Sequence, residues 1–324
     1  MWILAVAVTF LLSWLLILPV KKLAWKIGAI DVPRDWRRMH RKPVPRAGGI
    51  AMFAALLTGC LLFCRHTPVM MAALEGGLLL MVMGLVDDIF RLPAWLKLLF
   101  QLVIAALAVG SLGRFHGVAM LFMVLWVVTL TNAHNFVDGL DGLFGGTSAI
   151  EGIALAFLLT AIGLRNAALP PLLVSAACAG FLVHNRPPAR IFAGDCGSGC
   201  IGFVLGVLAL PAFSQPIWQI GSLAPFLIFA YPLADMVTAV LRRILHGKSP
   251  FAADRGHLHH RICAIGVPQP LCTLLLLLLS AMMGTLGVLI SRPELRIPAI
   301  VMVFLTVLLL AFFPRFLMRI AKNS

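Results

Sequence analysis

Residues 68–91 read PVMMAALEGGLLLMVMGLVDDIFR. The 19 residues from Pro68 to Val86 carry one ionisable side chain, Glu75, and a helix of about 20 such residues crosses the hydrocarbon core of a bilayer. The run stops on Asp87-Asp88, two adjacent carboxylates whose like charges call for a cation or a basic partner. Working outward, apolar runs near 2–20, 48–64, 96–112, 118–133, 145–164, 169–184, 200–213, 221–241, 269–290 and 298–314 repeat the pattern. With 61% apolar residues and a mean hydropathy of +1.01, the chain lies outside the soluble range. The expected fold is an all-α, polytopic integral membrane helix bundle of about 11 transmembrane helices.

An odd number of spans puts the termini on opposite sides, and the Lys/Arg bias chooses the orientation. With Met1 outside, 21 of the 26 Lys and Arg residues fall in cytoplasmic segments; Arg65, Arg114, Arg165, Arg292 and Arg296 fall outside. The N-terminus is therefore expected outside and Ser324 in the cytoplasm. On that arrangement all nine aspartates gather toward the cytoplasmic face. The formal net charge of +14 then serves anionic lipids and anionic substrates and requires no nucleic acid. Residues 1–20 lack a basic start and a small-residue cleavage site, so they read as a retained helix. The seven cysteines form no disulfide or metal framework and read as small apolar filler.

Polar chemistry is concentrated between the spans. After Asp87 and Asp88 comes Lys97, at the opening of the fourth span. The fifth span runs into TNAHNFVDGLDG (131–142), which crowds Asn132, His134, Asn135, Asp138 and Asp141 around two Asp-Gly turns. The stretch from Asn185 through Phe192 to Asp195 ends in glycines that open a new helix, which suits close approach of backbone N–H groups to phosphate. A last cluster holds Arg255, His257, His259 and His260. Histidines at that spacing could bind a transition metal, but flanking arginines disfavour a dication and favour a diphosphate. Asp235, inside the ninth run, is an expensive charge that calls for a partner or a function. Glu75 and Glu151 read as interhelical hydrogen-bonding groups. Hard oxygen ligands without a thiolate set suit Mg²⁺ or Mn²⁺, with substrate phosphates completing the shell. The residues alone point to phosphoryl transfer between a soluble diphosphate and a membrane-embedded acceptor.

The motifs Val86-Asp87-Asp88, Asn135 through Gly142, Phe192-Ala193-Gly194-Asp195 and Asp254 through His260, with His40 through Gly49 before them, resemble the polyprenyl-phosphate N-acetylhexosamine-1-phosphate transferases, glycosyltransferase family 4. The resemblance runs in order along nearly the whole chain. It implies one transmembrane phosphoglycosyl transferase domain over residues 1–324, with active-site loops near 21–47, 87–97, 131–144, 185–199 and 242–268. It also implies a bacterial cytoplasmic (inner) membrane, a UDP-sugar donor, undecaprenyl phosphate as acceptor and release of UMP, with Mg²⁺ as cofactor and a homodimer left open.

Carried across by motif, Asp195 is the metal ligand and Asp87 the carboxylate that deprotonates the lipid phosphate, with Asp88, Asp138 and Asp141 completing the catalytic set. An aspartate acting as covalent nucleophile stays open. Asn132, Asn135 and Asn185 are expected at the nucleotide and diphosphate, and Phe192 against uracil. Arg46, Lys97, Arg255, His257, His259 and His260 are expected to meet phosphate oxygens. The Ser-Pro-Phe and Asp-Arg-Gly-His-Leu-His-His segments resemble the branch that takes UDP-N-acetylglucosamine and initiates envelope polysaccharide of the O-antigen, common-antigen or teichoic acid type. Val44-Pro45-Arg46-Ala47-Gly48-Gly49 differs from the Thr-Pro-Thr-Met-Gly-Gly of the peptidoglycan branch, which argues against a muramyl-pentapeptide donor. Two other classes remain: a transporter of an anionic solute, whose site belongs near the membrane midplane between related halves, and a catalytically silent scaffold.

Overall fold

A computed structural model describes residues 1–32, 43–214, 220–249 and 256–306. Eight of its helices are long and apolar enough to cross a membrane. The chain opens with α1 (Trp2–Ile27), closed by Gly28 in the left-handed conformation. A two-residue ribbon follows, β1 (Ile30–Asp31) against β2 (Val44–Pro45), antiparallel with Ile30 opposite Pro45. Then come α2 (Gly48–Phe63), α3 (Pro68–Phe90), α4 (Ala94–Ser111), α5 (Gly117–Val137), α6 (Leu143–Ala161), α7 (Leu169–Asn185) and α8 (Asp195–Leu208). The chain continues through α9 (Ala224–Ile228), α10 (Ala230–Leu245), α11 (Leu258–Ala264) and α12 (Gln269–Ile290).

The fold class is the one expected, an all-helical polytopic bundle, but the spans are not uniform. At 16 residues, α2 rises about 24 Å, short of the roughly 30 Å hydrocarbon core. The predicted span at 221–241 is broken at Phe229 into α9 and α10. Pro232 explains the break: it cannot donate to the carbonyl of Ile228 and its ring crowds that carbonyl. α10 then runs on to Leu245 and carries Arg242 and Arg243 in its last turn. Of the predicted span at 298–314, the described part is helical and the rest lies outside the described residues.

α8 lies at the centre, packed by α3, α5 and α2, and nearly every residue of it is buried. Small residues make this possible. A Cβ at Gly84 of α3 would collide with the backbone of Asp195 and Cys196, and one at Gly49 of α2 with Gly197. Large apolar side chains such as Leu78, Leu79 and Val82 on α3 and Val103 and Leu107 on α4 face outward, as suits a surface solvated by lipid. Hydrogen bonds hold the first loop to the segment before α8: Phe192 N–H donates to Pro45 O (2.8 Å), Gly48 N–H to Phe192 O (3.0 Å) and Gly49 N–H to Ala193 O (3.0 Å). Arg46, the end of α3, the start of α4 and the start of α8 thus share one end of the bundle.

Candidate active site

At that end, three carboxylates and two cations interlock. Asp88 is the innermost, its side chain 0% exposed. Its oxygens accept the backbone N–H groups of Asp195 (3.0 Å) and Cys196 (3.2 Å), so α3 supplies the cap that the first turn of α8 lacks from its own sequence. Gly194, before α8, has φ 74° and sits where a Cβ would strike the Asp88 carboxylate; only glycine meets both demands. Arg46 Nη2 lies 2.8 Å from Asp88 Oδ1 and 3.2 Å from Asp195 Oδ1. Lys97 Nζ bridges Asp87 Oδ2 (2.8 Å) and Asp195 Oδ2 (3.0 Å). Asp87 Oδ1 also accepts the N–H of Leu92 (2.6 Å), fixing the turn between α3 and α4. Burial works against the charge of Arg46, yet Asp88, Asp195 and Asp138 outweigh it and hold the guanidinium above its usual range.

The turn after α5 forms the adjoining wall. Ser198 Oγ on α8 donates to Asn135 Oδ1 (2.8 Å). Burial, with Arg46 opposing and Asp195, Asp88 and Asp141 reinforcing, pushes the Asp138 carboxyl up to about 7. Within the cluster itself, three carboxylates share the two cations Arg46 and Lys97. Asn185 is spent on the backbone: its Oδ1 accepts the N–H of Gly142 (2.9 Å) and its Nδ2 donates to Ile191 O (2.8 Å). Asp141 Oδ2 accepts the N–H of Ala189 (2.9 Å), and its carbonyl accepts from Thr273 Oγ1 (3.2 Å). Asn132 donates to Gln101 Oε1 on α4 (2.7 Å) and to Val128 O (2.8 Å).

The histidines close the far side. His257 Nδ1 lies 2.9 Å from Asp235 Oδ2 on α10, and its ring packs at 5.1 Å on Phe136. The guanidinium of Arg243 sits over the same Phe136 ring at 5.3 Å. His259 stacks parallel to His257 at 5.6 Å and approaches His260 at 4.3 Å. The His259 ring lies where a Cβ on Gly139 would be, which ties the histidine segment to the Asp138 turn. Burial, then the neighbouring His260, lowers His259 to about 3, and neither of its ring nitrogens has a hydrogen-bond partner among the described residues.

The model of glycosyl transferase family 4 matches residues 70–212, the segment that holds the Asp87-Asp88 pair, the Asp138 turn and Asp195. A Bacillus subtilis (strain 168) protein named probable undecaprenyl-phosphate N-acetylglucosaminyl 1-phosphate transferase is 34% identical over 285 residues, 83% of this chain and 79% of that one. The chain belongs to glycosyl transferase family 4. Two further family relatives are named undecaprenyl-phosphate alpha-N-acetylglucosaminyl 1-phosphate transferase. That of Yersinia pestis is 33% identical over 87% of this chain and 82% of its own, and that of Salmonella typhi 32% over 94% and 87%.

Within this family 4 fold, the residues singled out from sequence divide by what their polar atoms do. Asp87, Asp88, Asp195, Arg46 and Lys97 form one ion-paired cluster; Asn135, Asp138 and Asp141 lie on the adjoining turn; His257, His259 and His260 border that turn. Phe192 is held by backbone bonds beside Arg46. Asn185 and Asn132 have side chains engaged within the protein. Arg255 lies outside the described residues. Sequence reading missed Gln101, Ser198, Phe136 and Arg243, whose types carry no signal apart from their neighbours. Asp235 and Glu151 did carry one, since each was a carboxylate inside an apolar run, and each is paired with a histidine.

Proposed function

We propose that the chain transfers N-acetylglucosamine 1-phosphate from UDP-N-acetylglucosamine to undecaprenyl phosphate at the cytoplasmic face of a bacterial inner membrane, releasing UMP and initiating an envelope polysaccharide. The observation that carries this reading is the convergence of Asp87, Asp88 and Asp195 with Arg46 and Lys97 at one end of an apolar bundle. The names of the family 4 relatives supply the sugar and the acceptor, and the Lys/Arg bias supplies the side. A transporter is less well supported, because its charges belong near the midplane.

In this reaction an oxygen of the acceptor phosphate attacks the sugar-bearing phosphorus of the donor, and the phosphoanhydride bond to UMP breaks. Asp87 takes the proton of the acceptor phosphate. Lys97 and Arg46, already among the carboxylates, neutralise phosphate oxygens as charge develops. Phe192 lies against uracil, Asn135 contributes its amide, and Asp88 holds α8 in place.

Among the described residues no three His, Cys, Asp or Glu side chains group into a metal cage. The donor set nevertheless fits Mg²⁺, or Mn²⁺, which is held by one or two carboxylates plus substrate phosphates. Asp195 is the most accessible carboxylate of the trio, 18% exposed against 7% for Asp87 and 0% for Asp88, and three carboxylates shared between two cations within the cluster favour a dication. Bound by Asp195, the metal would supply charge neutralisation of the donor diphosphate.

The test is purified protein with undecaprenyl phosphate, Mg²⁺ and a panel of UDP-sugars, scored by UMP release and by label in the lipid. UDP-N-acetylglucosamine should give both. Asp195→Asn should slow turnover roughly 10²–10³-fold, the usual cost of removing one stabiliser of transition-state charge. Solute uptake into vesicles without lipid labelling would overturn the assignment, and Asp195→Asn activity within a few-fold of the parent would remove Asp195 from it.

A further inference from the structure

The transfer chemistry leaves Asp235 of α10 without a role. It is 3% exposed, and both its oxygens are committed: Oδ1 accepts the backbone N–H of Leu258 (2.7 Å) and Oδ2 meets Nδ1 of His257 (2.9 Å). A backbone N–H can only donate, so Oδ1 is fixed as an acceptor. The proton shared between Oδ2 and Nδ1 rests on the more basic partner, the imidazole, whose ordinary pKa of about 6.5 stands above the roughly 3.9 of an aspartate, so Asp235 is ionised and Nδ1 of His257 carries the proton. A neutral imidazole has one N–H, which leaves Nε2 as the bare nitrogen. The ring is held between Phe136 at 5.1 Å and His259, stacked at 5.6 Å with 9° between the planes. Phe136 lies between Asn135, bonded to Ser198 of α8, and Asp138. His257 is thus tied to the loop that walls the aspartate cluster.

We propose that Asp235 is a positioning residue that holds His257 in its Nδ1–H tautomer, so that Nε2 takes a proton from solvent and, with Asp235 balancing the charge, donates its N–H to a phosphate oxygen of the substrate. The part about substrate rests on the phosphosugar-transfer reading above; the part about the tautomer does not. The carboxylate, and not merely a polar group of its size, is what the arrangement needs. An asparagine at 235 has a single oxygen. Leu258 N–H claims it, the amide NH₂ is turned toward Nδ1 of His257, and the imidazole is driven into the Nε2–H tautomer.

The experiment labels histidine with ¹⁵N in the purified full-length protein and assigns His257 by the signal lost in His257→Gln. In the parent, Nδ1 of His257 should resonate as a protonated nitrogen and Nε2 as an unprotonated one; in Asp235→Asn the two should exchange. Turnover in Asp235→Asn should fall at least roughly 10²-fold, the ordinary contribution of a positioned acid–base group, with the KM for UDP-N-acetylglucosamine within a few-fold of the parent. The double variant Asp235→Asn/His257→Gln should be no slower than His257→Gln alone, because Asp235 acts only through His257. Additive losses in the double variant would make Asp235 a structural group and overturn the proposal. So would an unprotonated Nδ1 in the parent, a reading that needs no variant to fold. A tautomer exchange in a protein that transfers no sugar phosphate would uphold the positioning by Asp235 and overturn only the transfer reading.

Discussion

Among the described residues, the carboxylate–imidazole pairs His134–Glu151 and His257–Asp235 use the same groups to different ends. Between α5 and α6, His134 and Glu151 are both 0% exposed, with Nε2 of His134 2.7 Å from Glu151 Oε2. The other ring nitrogen is taken as well, since Nδ1 lies 2.9 Å from Leu130 O. A carbonyl only accepts, so Nδ1 carries a proton, and one further proton lies between Nε2 and the carboxylate. Asp235 and His257, by contrast, tie α10 to the segment before α11 next to Phe136, and of the imidazole only Nδ1 is spent on the carboxylate. An imidazole with both nitrogens satisfied inside the protein ties helices together, whereas one with a nitrogen to spare can serve a ligand. The same distinction separates Asn185, whose amide is fully used on backbone groups, from Asn135, whose oxygen alone is committed to Ser198.

The sharpest way to break this comparison is to remove the inner carboxylate. Glu151→Ala leaves His134 in an apolar interior without its partner, and breaking a buried pair costs about 3–5 kcal/mol; denaturant or thermal unfolding in detergent should register it. Glu151→Gln should recover most of that loss, because the amide N–H can donate to Nε2 while Leu130 keeps the proton on Nδ1. Turnover per folded molecule in Glu151→Gln should stay within a few-fold of the parent, the opposite of what is expected for Asp235→Asn. A Glu151→Gln protein that folds normally but has lost turnover would erase the distinction between the two pairs.

Next in size is Asn185→Ala. It strands the N–H of Gly142 and the carbonyl of Ile191, and leaving a buried backbone group unsatisfied costs about 1–3 kcal/mol. Stability should fall accordingly, with the KM for the donor nearly unchanged; a large rise in KM with full stability would move Asn185 to the nucleotide.

The smallest effect is a slope with pH. Asp138, on the turn between the two pairs, has its carboxyl carried by burial to about 7, above the roughly 3.9 of an unfolded aspartate. Between those values the native state holds more protons than the unfolded one, so the contribution of Asp138 to stability is greatest below pH ~4, declines as pH rises and levels off above ~7. Melting curves across that window should show the decline in the parent and a shallower one in Asp138→Asn. An identical slope in both would detach it from Asp138.

How far the sequence revealed this depends on what each signal measures. Hydropathy measures the length of an apolar run, and it placed α1, α3, α5, α6, α7 and α12 closely. It does not measure continuity, so Pro232 passed unweighed inside the run at 221–241 and the break at Phe229 was not anticipated. Motif density marked the loops that assemble, because crowding Asp, Asn and His at helix ends is costly without a purpose. It could not say which polar atom faces which. Asp88 is adjacent to Asp87 and indistinguishable from it by type, yet it caps α8 while Asp87 faces Lys97. The His134–Glu151 pair spans two helices and 17 positions, a spacing that carries no local signal.

The burial of α8 has a consequence for how the chain is made. At 14 residues its α-helical part rises about 21 Å, it reaches a spanning length only with the tighter turn that carries it on to Phe213, and its first residue is Asp195. Everything that shelters it, the Gly49 face of α2, the Gly84 face of α3, the capping carboxylate of Asp88 and the α5 wall, precedes it in the sequence. A ribosome working from the N-terminus therefore delivers the cradle before its occupant, and α8 enters a protein-lined slot instead of lipid. Shuffling the gene so that α8 is translated first would ask a short, acid-tipped helix to wait in the bilayer with nothing to receive it.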